Sequence, residues 1–352
     1  MPEGAAAMRI IAIKTHAAGD LLLTTPALRA IRKGFPRAEL ILVTGHANVG
    51  ITAALPGFEA YLLVDEVGLF GRRLGAIYTF FKSIKLLKAY KIILFQPAPA
   101  LARLAALAGA PVYAPYATPK KPPYLADGVP WRPNTDKYIA ENYVEVAEAA
   151  GGVRDGLHLD FVIPEHVPPA SDFTGGTGKK KYVAVAPGGG VNPREAVEAK
   201  LPPVKFFSDV VDFVNEETGR AAVLVGGPGD VARCGAVAAA CRRPPVNLAG
   251  KTTPLETGRV LEAAAYVITT DSLPLHIAVA LDKPGIAFFG PTNPNALLPR
   301  ESTITPIRAQ VDCAPCYANA PFPPCKRPYK YECRDRFPLE LVKSWISDKE
   351  KK

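Results

Sequence analysis

The chain has 352 residues, 48% of them hydrophobic and 21% charged. That exceeds the ~250 residues at which a single core stops growing, so two packed units are predicted and a largely disordered protein is excluded. Lys and Arg outnumber Asp and Glu by 42 to 33, and the net charge of +9 biases the surface toward anionic partners without choosing among phosphates, nucleic acid and a membrane face.

No run approaches the ~20 apolar residues of a membrane span, and "MPEGAAAMR" lacks the basic start and apolar core of a signal peptide. A cytoplasmic location is therefore expected. Met8 directly precedes the first predicted strand, so residues 1–7 are set aside from the fold.

Apolar β-type runs then alternate with helical patterns: "RIIAIK" (9–14), "ELILVT" (39–44), "AYLLVD" (60–65), "KIILFQ" (91–96) and "APVYA" (110–114). Continuous apolar strands spaced by crossover helices indicate a parallel sheet covered on both faces, a Rossmann-like half. The helix predicted over 72–91 sets Lys82, Lys85 and Lys88 along one side near Phe81, Ile84 and Leu87. Such a face is either the solvated side of a packed helix or one that rests on an anionic membrane. A Pro-rich tract, "APYATPKKPPYLADGVPWRP", interrupts the alternation before the helix "TDKYIAENYVEVAEAAGG". The Pro- and Gly-rich stretch "FVIPEHVPPASDFTGGTGKKK" reads as a connector, so the first domain is placed at 8–165.

Alternation resumes with "YVAVAP" (182–187), "AAVLVGG" (221–227), "YVITTD" (266–271) and "GIAFFG" (285–290). The second domain is placed at 180–335, followed by a C-terminal helix at 336–352. In doubly wound α/β sheets ligands bind beyond the carboxyl ends of the strands, so the loops that follow the strands are the candidates.

The first such loop, "THAAGD", brings Asp20 to the strand end with Thr15, His16 and Gly19 beside it. Asp20 is either a helix N-cap or a general base. Because Thr25-Pro26 suits the start of a regular helix, Asp20 falls before that cap. The loop "APGGGVNP" places Gly188, Gly189, Gly190 and Asn192 where backbone N–H groups can meet an anion, and Lys200 adds a positive charge. The spacing fits neither a P-loop nor a dinucleotide fingerprint. "VGGPGD" reads as a tight strand-to-helix turn. In "TTDSLPLH", Asp271 and Ser272 end a strand and start a helix, an anion-binding geometry, with His276 one turn further on. "FFGPTNP" carries Thr292 to the same rim. Cys313, Cys316, Cys325 and Cys333 follow as C-x2-C-x8-C-x7-C, which fits a structural zinc site, disulfides or a loop of free thiols. Cys234 and Cys241 fall on a predicted helix and are expected to be buried.

Taken together and in order, "MRIIAIKTHAAGDLLLTTPALRAIRKGFPRAELILVT", "APGGGVNP…K", "VGGPGD…LAGKTTPLE", "TTDSLPLHIAVAL", "FFGPTNP" and the closing cysteine segment resemble glycosyltransferase family 9, the ADP-heptose:lipopolysaccharide heptosyltransferases. The resemblance implies an α/β GT-B fold of two Rossmann-like domains facing across a cleft. It implies an inverting, metal-independent transfer of heptose or a related sugar. The donor is then a nucleoside diphosphate, such as an ADP-sugar, bound by the C-terminal domain, and the acceptor a glycan or lipid-linked molecule bound by the N-terminal one. Asp20 takes the position of the family's proposed catalytic base. Gly188, Gly189, Gly190, Asn192, Lys200, Asp271, Ser272, His276 and Thr292 fall on the donor side, and no catalytic cofactor is called for.

Three departures set the chain apart. Leu273 stands where the family often has glycine, Lys200-Leu201-Pro202 lacks the arginine of K-R-W-P, and the cysteine tail is long. The positive surface is compatible with peripheral contact at the inner face of an anionic membrane. The alternative is a zinc-ribbon protein binding nucleic acid through its basic surface. The cysteines occupy only a short tail and the basic residues are scattered, so no nucleic-acid partner is expected.

Overall fold

The computed structural model describes residues 8–132, 136–176, 181–189, 197–317 and 324–351. They fall into two compact units: one comprises the described residues up to Arg132 with Lys137–Val162, the other Asp136 and the described residues from Ile163 onward.

In the first unit β1 (Arg9–Ile13), β2 (Glu39–Gly45), β3 (Ala60–Val64), β4 (Lys91–Leu94), β5 (Val112–Tyr116) and β6 (Asp127–Pro130) form one parallel sheet in the order β3-β2-β1-β4-β5-β6. Its helices are α1 (Ala18–Leu22), α2 (Thr25–Gly34), α3 (Val49–Thr52), α4 (Glu66–Phe70), α5 (Leu74–Leu86), α6 (Pro99–Ala106) and α7 (Ile139–Ala149). Side chains alternate across a strand, so Ile11, Ile13, Ile92 and Leu94 pack on one face with Phe80 and Ile84 of α5 and Ala102 of α6. On the other face Phe95, just beyond β4, meets Tyr143 of α7. Both faces are covered, which is why the strands read as unbroken apolar runs.

The second unit repeats the plan with β7 (Tyr182–Ala186), β8 (Ala221–Leu224), β9 (Val246–Asn247), β10 (Val267–Thr270), β11 (Gly285–Phe289) and β12 (Ile304–Arg308), in the order β12-β11-β10-β7-β8-β9, again all parallel. Its helices are α8 (Ala170–Phe173), α9 (Val204–Glu217), α10 (Val231–Ala240), α11 (Pro254–Ala263), α12 (Leu273–Ala280), α13 (Pro294–Leu297) and α14 (Leu339–Glu350). The start of α11 is a capping box: the Thr253 hydroxyl accepts from the Glu256 N–H, and the Glu256 carboxylate accepts from the Thr253 N–H at 2.7 Å.

Three strands escape the apolar-run criterion. β6 lies in the Pro-rich tract, and β12 contains Pro306; both are edge strands, where proline is tolerated because one side of the strand has no ladder partner. β9 is only two residues long. The segment 336–352 is not a separate appendage, since Val342 and Ile346 of α14 are buried in the second unit's core. Residues 163–165, assigned above to the first domain, group with the second unit.

The chain reverses its order of strand addition between β1 and β4 in the first sheet and between β7 and β10 in the second. At such a switch point the loops diverge and leave room for a ligand. Among the described residues no helix is long and apolar enough to cross a membrane.

Candidate active site

At the β1/β4 switch point the strand ends are stitched together. The Thr15 N–H donates to Gln96 Oε1 at 3.0 Å, and Gln96 Nε2 donates back to Thr15 Oγ1 at 2.8 Å. Thr15 is fully buried, so it anchors the loop from beneath. His16 is half-buried and meets the edge of Phe70 at 5.0 Å. Gly19 lies inside α1.

Asp20 is not an N-cap residue but lies in the first turn of α1. α1 begins after Ala17, a non-glycine residue at φ 60°, and no side chain caps it; α2 begins at Thr25. The Asp20 carboxylate instead accepts from Lys14 Nζ at 2.9 Å. Lys14 closes the apolar run of β1 and its ammonium lies 5.9 Å from the centre of the buried Tyr143 ring. Burial and then the Asp20 charge hold the Tyr143 hydroxyl well above its ordinary pKa, so it stays protonated. A carboxylate at a strand end, held by a buried cation rather than spent on a cap, is positioned to accept a proton.

In the second unit the β7/β10 switch point is stitched by Thr270, whose hydroxyl donates to the Gly188 carbonyl. Gly188 and Gly189 lie against Asp230, which accepts from the Gly189 N–H at 3.1 Å and the Gly227 N–H at 3.0 Å. The "VGGPGD" turn is thus the clamp of the glycine loop, a role that its local sequence does not announce. Gly190 and Asn192 lie outside the described residues. Arg233, which sequence reading overlooked, donates to the carbonyls of Pro187 (2.6 Å) and Pro202 and so binds the strand end to the segment after Lys200. Its guanidinium lies 5.8 Å from the Phe207 ring, and burial lowers its pKa.

Lys200 Nζ stands 3.1 Å from Asp271 Oδ2 and 5.2 Å from the centre of the Tyr317 ring. Tyr317 forms a β-bridge with Thr292, which is buried just beyond β11. Ser272 is the N-cap of α12, but its hydroxyl turns to the Thr270 carbonyl and does not cap the helix's own N–H groups. His276 is buried within α12. Lys200, Asp271, Ser272, Thr292 and Gly188 therefore share the carboxyl edge of one sheet.

All six cysteines are free thiols, so the disulfide alternative is not realised. Cys234 in α10 and Cys241 at its end are buried, and burial pushes their pKa values up to about 12 and about 11. Cys316 and Cys333 each lie within electrostatic reach of Cys313 and Cys325. Arg327 Nε donates to Cys313 Sγ and the Tyr331 N–H to Cys325 Sγ, each at 3.3 Å. Among the described residues no three ligating side chains are gathered closely enough to hold a metal as they stand.

Sequence comparison matches residues 115–323 to Glycosyltransferase family 9 (heptosyltransferase). Lipopolysaccharide heptosyltransferase 3 of Escherichia coli is 29% identical over 293 residues, spanning 78% of this chain and 81% of that protein. Among solved structures, the glycosyl transferase family 9 protein of Veillonella parvula DSM 2008 superposes with a TM-score of 0.70 at 22% identity, covering 85% of each chain. The E. coli ADP-heptose lps heptosyltransferase II also gives a TM-score of 0.70, at 18% identity, over 97% of this chain and 100% of that one. These likenesses establish the GT-B fold.

Proposed function

The chain belongs to glycosyltransferase family 9 and is a glycosyltransferase, and from that premise we propose that it moves heptose or a related sugar from an ADP-type nucleoside diphosphate donor to a lipopolysaccharide-type glycan or lipid-linked acceptor, with inversion and without a catalytic metal. The single observation that carries this is Asp20, held at the β1 end by Lys14 instead of capping a helix. Asp20 accepts the proton of the acceptor hydroxyl as that oxygen attacks the anomeric carbon. The bond to the diphosphate breaks, and the sugar passes through an oxocarbenium-like state. Attack from the face opposite the leaving group inverts the anomeric centre.

The leaving diphosphate gathers negative charge, which calls for preorganised positive partners. Lys200 and the first turn of α12 behind Ser272 supply them at one sheet edge, whereas the Gly189 N–H, which sequence reading offered to an anionic ligand, is already given to the Asp230 carboxylate. No D-x-D carboxylate pair for a divalent ion occurs in the chain. The four C-terminal cysteines are free thiols not gathered closely enough to hold a metal as they stand; the spacing C-x2-C-x8-C-x7-C and the N–H donors on two of the sulfurs support a structural zinc site that would form as they draw together.

The test is Asp20→Asn, assayed with ADP-heptose and a lipopolysaccharide-core acceptor beside ADP titrations. Transfer should fall by about 10²–10⁴-fold while ADP affinity holds, because the base acts on the acceptor. An active Asp20→Asn enzyme would remove the assignment.

A further inference from the structure

Residues 67–126 contain nine Lys and Arg and no Asp or Glu; the rest of the chain carries 33 basic and 33 acidic residues. The entire net charge of +9 therefore resides in one stretch of sixty residues within the first unit.

The same stretch exposes large apolar side chains. α5 buries Phe80 and Ile84, and on its outward arc Leu74, Tyr78 and Leu86 are 83%, 64% and 67% exposed. At ~100° per residue these three interleave with the exposed Lys82 and Lys85. Arg72 and Arg73 extend the basic character at one end of the helix and Lys88 at the other. A merely solvated helix face would be expected to alternate charges of both signs and to keep leucine and tyrosine inward.

We propose that the outward arc of α5 is a docking surface for an anionic lipid bilayer. Basic side chains attract acidic headgroups, and Leu74, Tyr78 and Leu86 enter the interfacial region, which is the division of labour of a helix lying in a membrane surface. A second copy of the chain fits poorly, because two such faces would repel each other. Nucleic acid would engage the cations but gain little from the leucines.

The position of the surface gives it a purpose. α4 leads directly into α5, and its Phe70 packs on His16 in the loop that leads into α1, the helix that carries Asp20. Docking would bring that loop close to the headgroups, where a lipid-linked acceptor resides. Lipid binding by this face stands independently of the glycosyltransferase reading, and its test involves no turnover.

The full chain is to be sedimented with vesicles of phosphatidylcholine plus phosphatidylglycerol, and with vesicles of phosphatidylcholine alone, across a salt series. Binding is expected only to the anionic vesicles and should weaken as salt rises. The triple variant K82E/K85E/K88E should reduce it by about 100-fold or more, since each basic residue near an anionic surface is worth ~5-fold. The variant L74S/Y78S/L86S should also bind more weakly at unchanged charge, with far-UV circular dichroism and thermal midpoint like the parent's. If K82E/K85E/K88E misfolds, R72E/R73E serves in its place. Failure to bind anionic vesicles at low salt, or binding unaffected by the charge variants, would overturn the proposal. So would a surface that retains a single-stranded oligonucleotide as tightly as the vesicles and is indifferent to loss of the three apolar side chains.

Discussion

Lys14 and Asp20 form an ion pair at 2.9 Å whose partners differ in exposure: the lysine side chain is 2% exposed and the carboxylate 34%. The cation is locked inside the sheet end while the anion reaches the loop surface. Lys14 is thus a positioning residue for Asp20. Lys14→Met keeps the bulk and removes the charge; Asp20 remains partly hydrated, so the stability cost should stay within about 1 kcal/mol. Transfer is expected to fall ~10–100-fold through kcat, with the donor KM little changed. Steady-state kinetics checks this, and a wild-type kcat would show that Asp20 needs no anchor.

Lys200 and Asp271 form the more enclosed pair, with side chains 11% and 6% exposed. Lys200→Ala should weaken ADP binding by about tenfold or more, because a charge-assisted phosphate contact is lost. It should also lower stability by about 1–3 kcal/mol by stranding the Asp271 carboxylate. In the double variant with Asp271→Asn, stability should recover and ADP affinity should not. Calorimetric titration and thermal unfolding read the two effects separately.

Arg233 satisfies two backbone carbonyls with one guanidinium. A lysine cannot reproduce this fork, so Arg233→Lys should be destabilised by about 1–2 kcal/mol and should also bind ADP less tightly, through the strand end and the segment after Lys200 that Arg233 joins. Denaturant unfolding beside ADP titration checks both.

The cysteines divide by environment. Cys313 and Cys316 are exposed and should react with a thiol reagent in metal-free protein, Cys316 more slowly because burial and the neighbouring cysteines raise its pKa. The buried Cys234 and Cys241 should be protected until the protein unfolds, burial having pushed them up to about 12 and about 11. Below pH ~9 both the folded and unfolded thiols are protonated and the full stability is present. From about 9 to about 12 the unfolded chain sheds protons that the folded one keeps, so stability declines as pH rises. The protein as isolated is expected to carry equimolar zinc that shields all four C-terminal thiols, and Cys316→Ser or Cys325→Ser should release it. Zinc-free protein whose thermal midpoint does not respond to added zinc would end that assignment.

The repeating sheets were legible because buried parallel strands leave long apolar runs, and even the separate start of α2 at Thr25-Pro26 could be read locally. Proline hid β6 and β12 because sequence rules demote it without knowing which strands lie at an edge. At the candidate site Asp20 and Lys200 were visible from their place after strands. Their supports were not. Gln96 reaches Thr15 across 81 positions, and Asp230 reaches Gly189 across 41, distances that no periodicity spans. Lys14 did leave a trace, a lysine closing the apolar run "RIIAIK", but only the packed sheet shows that it points inward.

The Asp230 clamp also constrains how this sequence can drift. A Cβ at position 188 would fall 2.1 Å from Asp230 Oδ1 and 2.8 Å from its Cβ, and one at 226 would fall 2.7 Å from that same Cβ. Shortening residue 230 to alanine would leave both collisions with its Cβ in place, so neither glycine can change while the backbone holds and any side chain remains there. Positions 188, 226 and 230 must therefore mutate as a linked set. A lineage that lost the aspartate first would forfeit the loop's two N–H anchors before it gained any freedom at the glycines.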